Sequence, residues 1–346
     1  MRKIVIAILV MLLMACCLSG NLFAQTGKEK VELISTSGGP GYPEYGEGFF
    51  AQPYSSLLQG RALEDPALKG KLIIKHYPNA QLYNQNDAQM ALAQGAIHKT
   101  YGGPHFYEQW NPAWALLETP GIIESWEHFL RVMDTEPFKE LEKDLASKGI
   151  TILNWAGNCG DVYIFTKKRC ETLDDLKGLK IRYFGGEGQA RALKALGITG
   201  VFLPYSEVVT ALQTNQIEGV ITDLTGGVPF MQLNRYAPNM LPYVWGVQPI
   251  SNAVNTKWYN ALPATGKLFR PGIREAFDRV YQGIRTDHYS AILERRSLDS
   301  FKKAGGYVAP YKEEDHKKFK KIMFDAAKPI IDSVDPKYIK AIQAAK

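Results

Sequence analysis

Apolar and polar residues alternate along the chain with two different periods. Residues 30–36 and 71–77 alternate at every second position, as β-strands do, and residues 87–94 have a helical spacing that ends at Gly95. The same order returns later, with strands predicted over 150–155, 162–166, 176–184 and 219–222 and helices over 187–196 and 206–214. Such alternation predicts parallel strands covered by helices, and its two occurrences predict an α/β protein with two lobes.

The last third of the chain has a mainly helical pattern. A long helical stretch is predicted over 266–304, with a break or irregular start at residues 270–272, where a proline precedes a glycine. A short strand over 307–309 and one or two further helices complete the chain. This part of the sequence therefore adds mainly helices to the two lobes.

The N-terminus has the layout of a secretory signal. Arg2 and Lys3 precede an apolar run over residues 4–17, and Ala24 precedes a polar residue. Since this run is shorter than the roughly 20 residues that cross a bilayer, we predict a signal peptide over residues 1–24 and an exported mature protein. One alternative stays open, because residues 13–16 also resemble a lipobox in which Cys16 is lipidated and anchors the protein.

Two cysteines remain after cleavage at that point. Cys159 and Cys170 would meet an oxidising compartment, and a short predicted strand separates them. Neither lies in a redox or nucleophile motif. We therefore expect a structural disulfide between Cys159 and Cys170 rather than catalysis by either thiol.

Composition, charge and motifs exclude several functions. The 346 residues are 45% hydrophobic and 22% charged, which excludes intrinsic disorder, and a net charge of +6 without long basic runs predicts no nucleic-acid partner. No nucleophile elbow, zinc-protease motif or phosphate-binding loop occurs in the sequence, and its histidines lack metal-ligand spacing. We predict a protein that is not an enzyme and that needs no metal or cofactor.

Arg182 is the most informative polar residue. It lies near the carboxyl end of a predicted parallel strand, where open α/β sheets bind ligands. A guanidinium group offers paired donors that match both oxygens of a carboxylate. From this position alone, an exposed structural arginine remains the alternative.

Three segments around this strand carry a family resemblance. Residues 173–182, 203–214 and 217–219, supported by 77–82, 94–97 and 255–263, resemble solute-binding proteins of tripartite ATP-independent periplasmic (TRAP) transporters. The resemblance implies a two-lobed periplasmic-binding-protein fold, each lobe a sheet flanked by helices, with a long helix spanning both. It also implies lobe I over residues 25–157 plus 248–285 and lobe II over residues 158–247 plus 286–346.

The same resemblance implies a function and partners. A periplasmic receptor of this kind closes on an organic acid and delivers it to membrane permease subunits, without an ATPase. Two alternatives remain open: a binding protein that serves a sensor, and an exported hydrolase that uses a carboxylate such as Asp161 or Asp223.

The resemblance assigns roles to several residues. Arg182 matches the arginine that binds the substrate carboxylate, and Tyr205 matches a frequent aromatic wall of the pocket, with simple hydrophobic contact as its alternative. Thr222 replaces a ligand-binding asparagine, so that Thr222 and Asp223 are candidates against plain strand-end roles.

Two departures from the family pattern bear on the ligand. Val162 beside Tyr163 stands where many members carry a second arginine, and Tyr101, Gly102 and Gly103 replace polar pocket positions. We therefore expect a monocarboxylate, or an acid with a bulky or aromatic body. The aromatic residues that could stack on it are Tyr101, Trp155, Tyr163, Phe184, Tyr205 and Trp245, although each taken singly is more often a core residue.

Overall fold

A computed structural model describes residues 30–37, 59–78, 80–262, 273–282 and 289–346 of the chain. Within these ranges, the side chains of residues 156–160, 225, 229–230, 280–282 and 289–294 are left undescribed. The predicted signal peptide, with Cys16, lies outside the described residues.

The first part of the chain builds most of the first lobe. Its strands are β1 (Val31–Thr36), β2 (Leu72–Tyr77) and β3 (Lys99–Gly102), and its helices are α1 (Gln85–Gln94), α2 (Trp126–Met133) and α3 (Glu136–Ser147). Asn84 begins α1 by accepting a hydrogen bond from the backbone N–H of Asp87, and Gly95 ends it in the left-handed conformation. The predicted helix over 87–94 is therefore confirmed, two residues longer at its start.

The second part contains the remaining elements. Its strands are β4 (Ile150–Thr166), β5 (Lys180–Tyr183), β6 (Thr199–Phe202), β7 (Gly219–Asp223), β8 (Asn239–Met240), β9 (Gly246–Asn255) and β10 (Tyr307–Val308). Its helices are α4 (Glu187–Ala195), α5 (Val208–Gln213), α6 (Leu224–Phe230), α7 (Leu233–Tyr236), α8 (Thr256–Ala261), α9 (Ile273–Gln282), α10 (Tyr289–Lys303), α11 (Glu313–Ser333) and α12 (Pro336–Ala344).

The described strands form one sheet that passes through both lobes, in the order β2-β1-β3-β9-β4-β7-β5-β6. The predicted parallel pairing holds for β1 with β2 and for β5 with β6 and β7. However, β4 and β9 are antiparallel to each other and to their other neighbours on this path, β7 and β3. The prediction of wholly parallel lobes was wrong at these two strands, because they run between the lobes instead of returning through a helix.

Strand β4 also joins two segments that the sequence pattern separates. Its pairing with β9 shifts register between Ile152 and Asn154, between Trp155 and Asn158, and again before Asp161. Each irregularity breaks the period of two on which the strand prediction rests. The predicted strands over 150–155 and 162–166 are therefore one continuous strand.

Helix α11 connects the two hydrophobic cores. Phe319 and Met323 pack in the core of the second lobe, whereas Ala327 and Ile330 pack in that of the first. Helix α11 thus contacts both lobes. The stretch predicted as helical over 266–304 also reaches both, since Phe277 of α9 packs in a first-lobe cluster with Leu33 and Phe301 of α10 packs against Phe165 of the second lobe. Residues 266–272 and 283–288 of this stretch lie outside the described ranges. Because α12 also packs on the first core, we propose that the chain's end belongs to lobe I; the other lobe boundaries stay predictions.

Cys170 is a free, buried thiol, and burial raises its pKa. Its Sγ lies 3.7 Å from the carbonyl oxygen of Asp175, within the core of the second lobe. The predicted disulfide with Cys159 is therefore not formed in this structure, and the Cys159 side chain lies outside the described residues. No helix in the described ranges is long and apolar enough to cross a membrane.

Candidate ligand-binding site

Arg182 lies in the centre of the second lobe's sheet. It pairs with Val201 of β6 and Val220 of β7, and its side chain is only 3% exposed. The guanidinium Nε donates a hydrogen bond of 2.9 Å to the carbonyl oxygen of Leu203. Burial lowers the pKa of Arg182 to about 10, since desolvation outweighs the favourable effects of Tyr205 and Asp223. The side chain is thus a buried arginine whose guanidinium is oriented by Leu203 and lies near Tyr205 and Asp223.

Four other predicted site residues lie towards the same end of the sheet as this arginine. The Tyr205 hydroxyl donates to the carbonyl oxygen of Gly226 at 3.1 Å, and Asp223 Oδ1 accepts a hydrogen bond of 2.5 Å from the Gly226 N–H. Asp223 thereby caps the start of α6, as expected of aspartate at this position. Thr222 lies opposite Tyr163 in the pairing of β7 with β4. The structure therefore brings Arg182, Tyr205, Thr222, Asp223 and Tyr163 together at one end of the sheet.

A cleft of about 350 Å³ lies beside this end of the sheet, at the junction of the lobes. Its lining includes His105, Phe106 and Glu108 from the first lobe and Tyr183, Gly185 and Phe202 from the second. Tyr183 follows Arg182 directly in β5, so that the two side chains point to opposite faces of the strand. None of the predicted site residues lines this cleft, and its aromatic and acidic side chains were not predicted.

His105 is held between the two lobes. Its Nδ1 lies 2.7 Å from Glu118 Oε2, an oxygen that also accepts the His105 backbone N–H at 2.7 Å. Both side chains are buried, with 6% and 2% exposure. The imidazole contacts the ring of Phe184 edge-on, with 5.6 Å between centroids, which places this predicted residue at the junction of the lobes. His105 Nε2 and Glu118 Oε1 are buried without a hydrogen-bond partner.

Two close approaches at the same junction show that the lobes touch. The Glu108 carboxylate accepts a hydrogen bond of 3.1 Å from the backbone N–H of Glu187, at the start of α4. A Cβ atom on Gly188 in that helix would lie 2.8 Å from the Cα of Thr119 in the first lobe. The lobes therefore touch at this junction, where Gly188 of the second lobe allows close approach.

The first lobe holds Tyr101 and Gly103 at the end of β3. Tyr101 is buried beneath α9, and the Lys99 ammonium lies 3.5 Å from the centroid of its ring. Lys99 is itself fully buried, 3.3 Å from Asn252 Oδ1, and desolvation lowers its pKa. Gly103 packs against His105 and Glu118, where a Cβ atom would lie 2.7 Å from Glu118 Oε1. The structure thus adds a buried lysine that the sequence interpretation did not single out.

Two tryptophans of the predicted aromatic set lie in the cores. The Trp155 ring packs edge-on against Phe129 at 5.0 Å, and its Nε1 donates to Glu142 Oε1 at 2.9 Å. Trp245 is 2% exposed and packs against Phe319. These contacts give both residues a role in stability; a role in ligand binding stays a prediction.

The described residues contain no group of three or more His, Cys, Asp and Glu side chains arranged to hold a metal ion. Of the two carboxylates considered for a hydrolase, Asp223 caps a helix and Asp161 has a pKa raised by burial. The described site thus consists of a buried arginine in the second lobe and, on the other face of β5, a cleft at the junction of the lobes.

Residues 61–333 match the model of bacterial extracellular solute-binding protein family 7, known as DctP. The chain belongs to this family. The match covers more than half of the protein and confirms the resemblance found in the motifs around Arg182.

Individual relatives match over shorter stretches. A solute-binding protein of Sulfitobacter sp. (strain NAS-14.1) is 30% identical over 213 residues, which is 60% of this chain and 63% of the relative. The 2,3-diketo-L-gulonate-binding periplasmic protein of Escherichia coli (strain K12) is 29% identical over 171 residues, 49% of each chain. The matched part of this chain thus spans between about half and two thirds of these relatives' length.

Solved structures confirm the fold over nearly the whole chain. A TRAP periplasmic solute-binding protein from Shewanella oneidensis with bound succinate has a TM-score of 0.81 at 18% identity, covering 91% of this chain and 99% of its own. A sugar acid binding protein from Advenella mimigardefordensis in complex with galactonate has a TM-score of 0.80 at 17% identity, covering 92% and 100%. The predicted two-lobed α/β fold is therefore correct.

Proposed function

We propose that this protein is the periplasmic receptor of a TRAP transporter, which captures an organic acid through Arg182 as its lobes close. The observation that carries the proposal is the buried Arg182 side chain near the carboxyl end of β5. Its Nε donates a hydrogen bond to the carbonyl oxygen of Leu203, just after β6. A bound carboxylate would pair its negative charge with the buried guanidinium, and the paired N–H donors would fix the orientation of the carboxylate.

Closure of the lobes strengthens the ion pair between Arg182 and the carboxylate of the ligand. The lobes meet at the contacts of Glu108 with Glu187 and of Thr119 with Gly188, so that a ligand between them is shielded from water. An ion pair is stronger in such a low-dielectric site than in water. Related proteins bind succinate, galactonate and 2,3-diketo-L-gulonate, all of them organic acids, which supports a carboxylate as the recognised group.

The proposal extends to partners and location. The partners are membrane permease subunits, without an ATPase, and the protein acts in the periplasm as a receptor, not as an enzyme. Export follows from the signal pattern at residues 1–24, and lipidation at Cys16 remains the alternative to a free mature protein.

A binding experiment on Arg182 variants tests the proposal. Titration calorimetry with succinate, galactonate, galacturonate, orotate and hexanoate should show that at least one acid binds wild-type protein. Arg182→Ala should weaken that acid more than about 100-fold, since loss of one partner from a buried ion pair costs about 3–5 kcal/mol. Arg182→Lys should recover part of the affinity, because charge returns without the paired donors.

Controls separate binding from folding and from catalysis. Arg169→Lys changes an exposed arginine in the same lobe, with 62% exposure, and should bind the acid as wild-type protein does. Thermal unfolding of each variant without ligand checks its fold. Unchanged affinity of a folded Arg182→Ala variant would refute the proposal, and chromatographic detection of a converted acid would favour the hydrolase alternative.

A further inference from the structure

The cleft at the junction of the lobes brings acidic and aromatic side chains together. Glu108 and Glu187 line it, and among the described residues its lining includes neither a lysine nor an arginine. Tyr183 also lines it, and this side chain leaves β5 on the face opposite to that of Arg182. The cleft is therefore separate from the arginine to which we assign the acid, and its charge indicates a different class of ligand.

Two aromatic residues of neighbouring strands line one side of the cleft. Tyr183 of β5 and Phe202 of β6 are partners in the parallel pairing, and their ring centroids lie 6.0 Å apart. Phe202 is 44% exposed, so much of its ring gains no stability from burial. Aromatic rings beside carboxylates suit a cation, because the negative face of each ring attracts positive charge.

Glu108 is the acidic group of the cleft that is best placed to bind a cation. Its Oε2 accepts the backbone N–H of Glu187 at 3.1 Å, and a Cβ atom on Gly186 would lie 2.9 Å from its Oε1. The start of α4 would by itself favour an anion, but the Glu108 carboxylate already lies there. The Glu187 carboxylate is paired with Arg191. A further anion would therefore meet two carboxylates at close range.

His105 adds a hydrogen-bond acceptor to the same cleft. Glu118 Oε2 lies 2.7 Å from both Nδ1 and the backbone nitrogen of His105, so the proton of the neutral ring is on Nδ1 and Nε2 is an acceptor. The side chain is 6% exposed, and Nε2 is buried without a hydrogen-bond partner among the described residues. Such an atom is costly, and a donor in the cleft that this ring lines would satisfy it.

We propose that this cleft is a second ligand site, separate from Arg182, that binds the primary ammonium group of a small organic amine. The ammonium donates hydrogen bonds to the Glu108 carboxylate and to His105 Nε2. Its positive charge lies against the rings of Tyr183 and Phe202. An ammonium has three donors and no acceptor, which matches a site whose polar groups accept hydrogen bonds and whose rings attract positive charge.

Titration calorimetry with phenethylammonium chloride at pH 8 tests this site without any variant. Glu108, whose pKa is about 7, is ionised at this pH. We expect saturable binding of one amine, at least about 10-fold tighter than that of 2-phenylethanol, which has the same shape and no charge. The trimethylated amine keeps the charge but lacks N–H donors, and it should also bind more weakly. No binding of the amine, or equal binding of either analogue, would overturn the proposal.

Two substitutions locate the amine in the cleft. Glu108→Gln should weaken its binding about 10-fold or more, since a neutral amide replaces the charge, and Phe202→Ala should weaken it about 3- to 10-fold. The matched controls Glu136→Gln and Phe324→Ala change side chains that are 66% and 61% exposed, and both should bind the amine as wild-type protein does. Thermal unfolding checks the fold of each variant. Wild-type affinity in folded Glu108→Gln or Phe202→Ala protein would contradict the site.

The result is independent of the Arg182 experiment. The amine should bind whether or not any acid binds wild-type protein, so that failure of the proposed function leaves this site testable. Arg182→Ala should keep the affinity for the amine, because the guanidinium lies on the other face of β5. Competition between the amine and a saturating acid, or loss of amine binding in folded Arg182→Ala protein, would place both ligands in one site and overturn the inference.

Discussion

The carboxylate of Glu108 in the first lobe accepts a hydrogen bond from the backbone N–H of Glu187 in the second, over 3.1 Å. Glu187 begins α4, so this bond places a negative charge at the positive end of a helix dipole. Desolvation nevertheless dominates and raises the pKa of Glu108 to about 7, with the nearby charges of His105, Glu118 and Glu187 as smaller influences. The contact between the lobes therefore contains a carboxyl group that titrates near neutral pH.

This contact should make the stability of the closed protein depend on pH. The pKa of Glu108 is about 7 in the folded protein and 4.5 ordinarily, so the folded state binds the extra proton between these values. Stability contributed by protonated Glu108 is complete below pH 4.5 and is lost as the pH rises through 7. Relative to Glu108→Gln, wild-type protein should lose about 2 kcal/mol of unfolding free energy across this range, measured by urea unfolding.

A comparison with an exposed carboxylate provides the control. Glu136→Gln changes a side chain of α3 that is 66% exposed, and its pH profile should match that of wild-type protein. If Glu108→Gln also retained the wild-type profile, Glu108 would not be the titrating group at the junction.

Gly188→Ala should destabilise the closed arrangement although it favours the helix. Alanine stabilises an exposed helix by about 1 kcal/mol relative to glycine. At Gly188, however, the new Cβ would overlap Thr119 Oγ1 and lie 2.8 Å from the Cα of Thr119, so the lobes must separate to accommodate it. We expect a net loss of about 1–3 kcal/mol in unfolding free energy, together with weaker acid binding.

A second helical glycine measures the effect of helix propensity without a steric contact. Gly60 is helical, and a Cβ there would meet no atom within 4 Å. Gly60→Ala should therefore be neutral or stabilising by up to about 1 kcal/mol, with unchanged binding. Equal effects of the two substitutions would show that the lobes do not approach each other at Gly188 in solution.

The fold was largely predictable from the local sequence pattern, and the errors of that prediction have a common cause. Helix α1 is confirmed because its cap, periodic face and terminal glycine lie within one short segment. Strand β4 was divided in two because its bulges near Trp155 and Asp161 interrupt the alternation, and the antiparallel direction of β9 leaves no local mark. Pairing between segments distant in sequence is decided by packing, which periodicity does not report.

The candidate site was predictable on one lobe only. The resemblance assigned roles to Arg182, Tyr205 and Asp223 from the motifs around Arg182. In the structure Tyr205 and Asp223 both bind the backbone of Gly226, and Arg182 binds the carbonyl oxygen of Leu203. His105 and Glu118 carry no such motif. His105 lies just after Gly102 and Gly103, which the sequence interpretation had singled out, but only the three-dimensional structure shows that its ring meets Gly185 of the other lobe.

Cys170 should be found as a free thiol. It is buried in the core of the second lobe, so it should resist alkylation in native protein and react when the protein is denatured without reductant. Peptide mass spectrometry of such a sample identifies the modified residue. A disulfide-linked peptide containing Cys159 and Cys170 would instead restore the pairing expected from export.

Helix α11 contains two phenylalanines that differ mainly in burial. Phe319 is 3% exposed and contacts Tyr243 and Trp245, whereas Phe324 is 61% exposed. Both changes to alanine remove the same ring and raise helix propensity equally, so the difference between them isolates the core contacts. Phe319→Ala should lower the unfolding free energy by about 3–5 kcal/mol in urea, and Phe324→Ala should change it by less than about 0.5 kcal/mol.

The same pair tests whether α11 links the lobes. Since Ala327 and Ile330 of this helix pack in the first core, a cavity at Phe319 should loosen the second lobe's hold on α11 and so weaken closure on the acid. Phe319→Ala should therefore bind its acid less tightly than Phe324→Ala at a temperature where both are folded. Loss of stability at Phe319 with unchanged affinity would mean that α11 stabilises the second lobe without coupling it to the first.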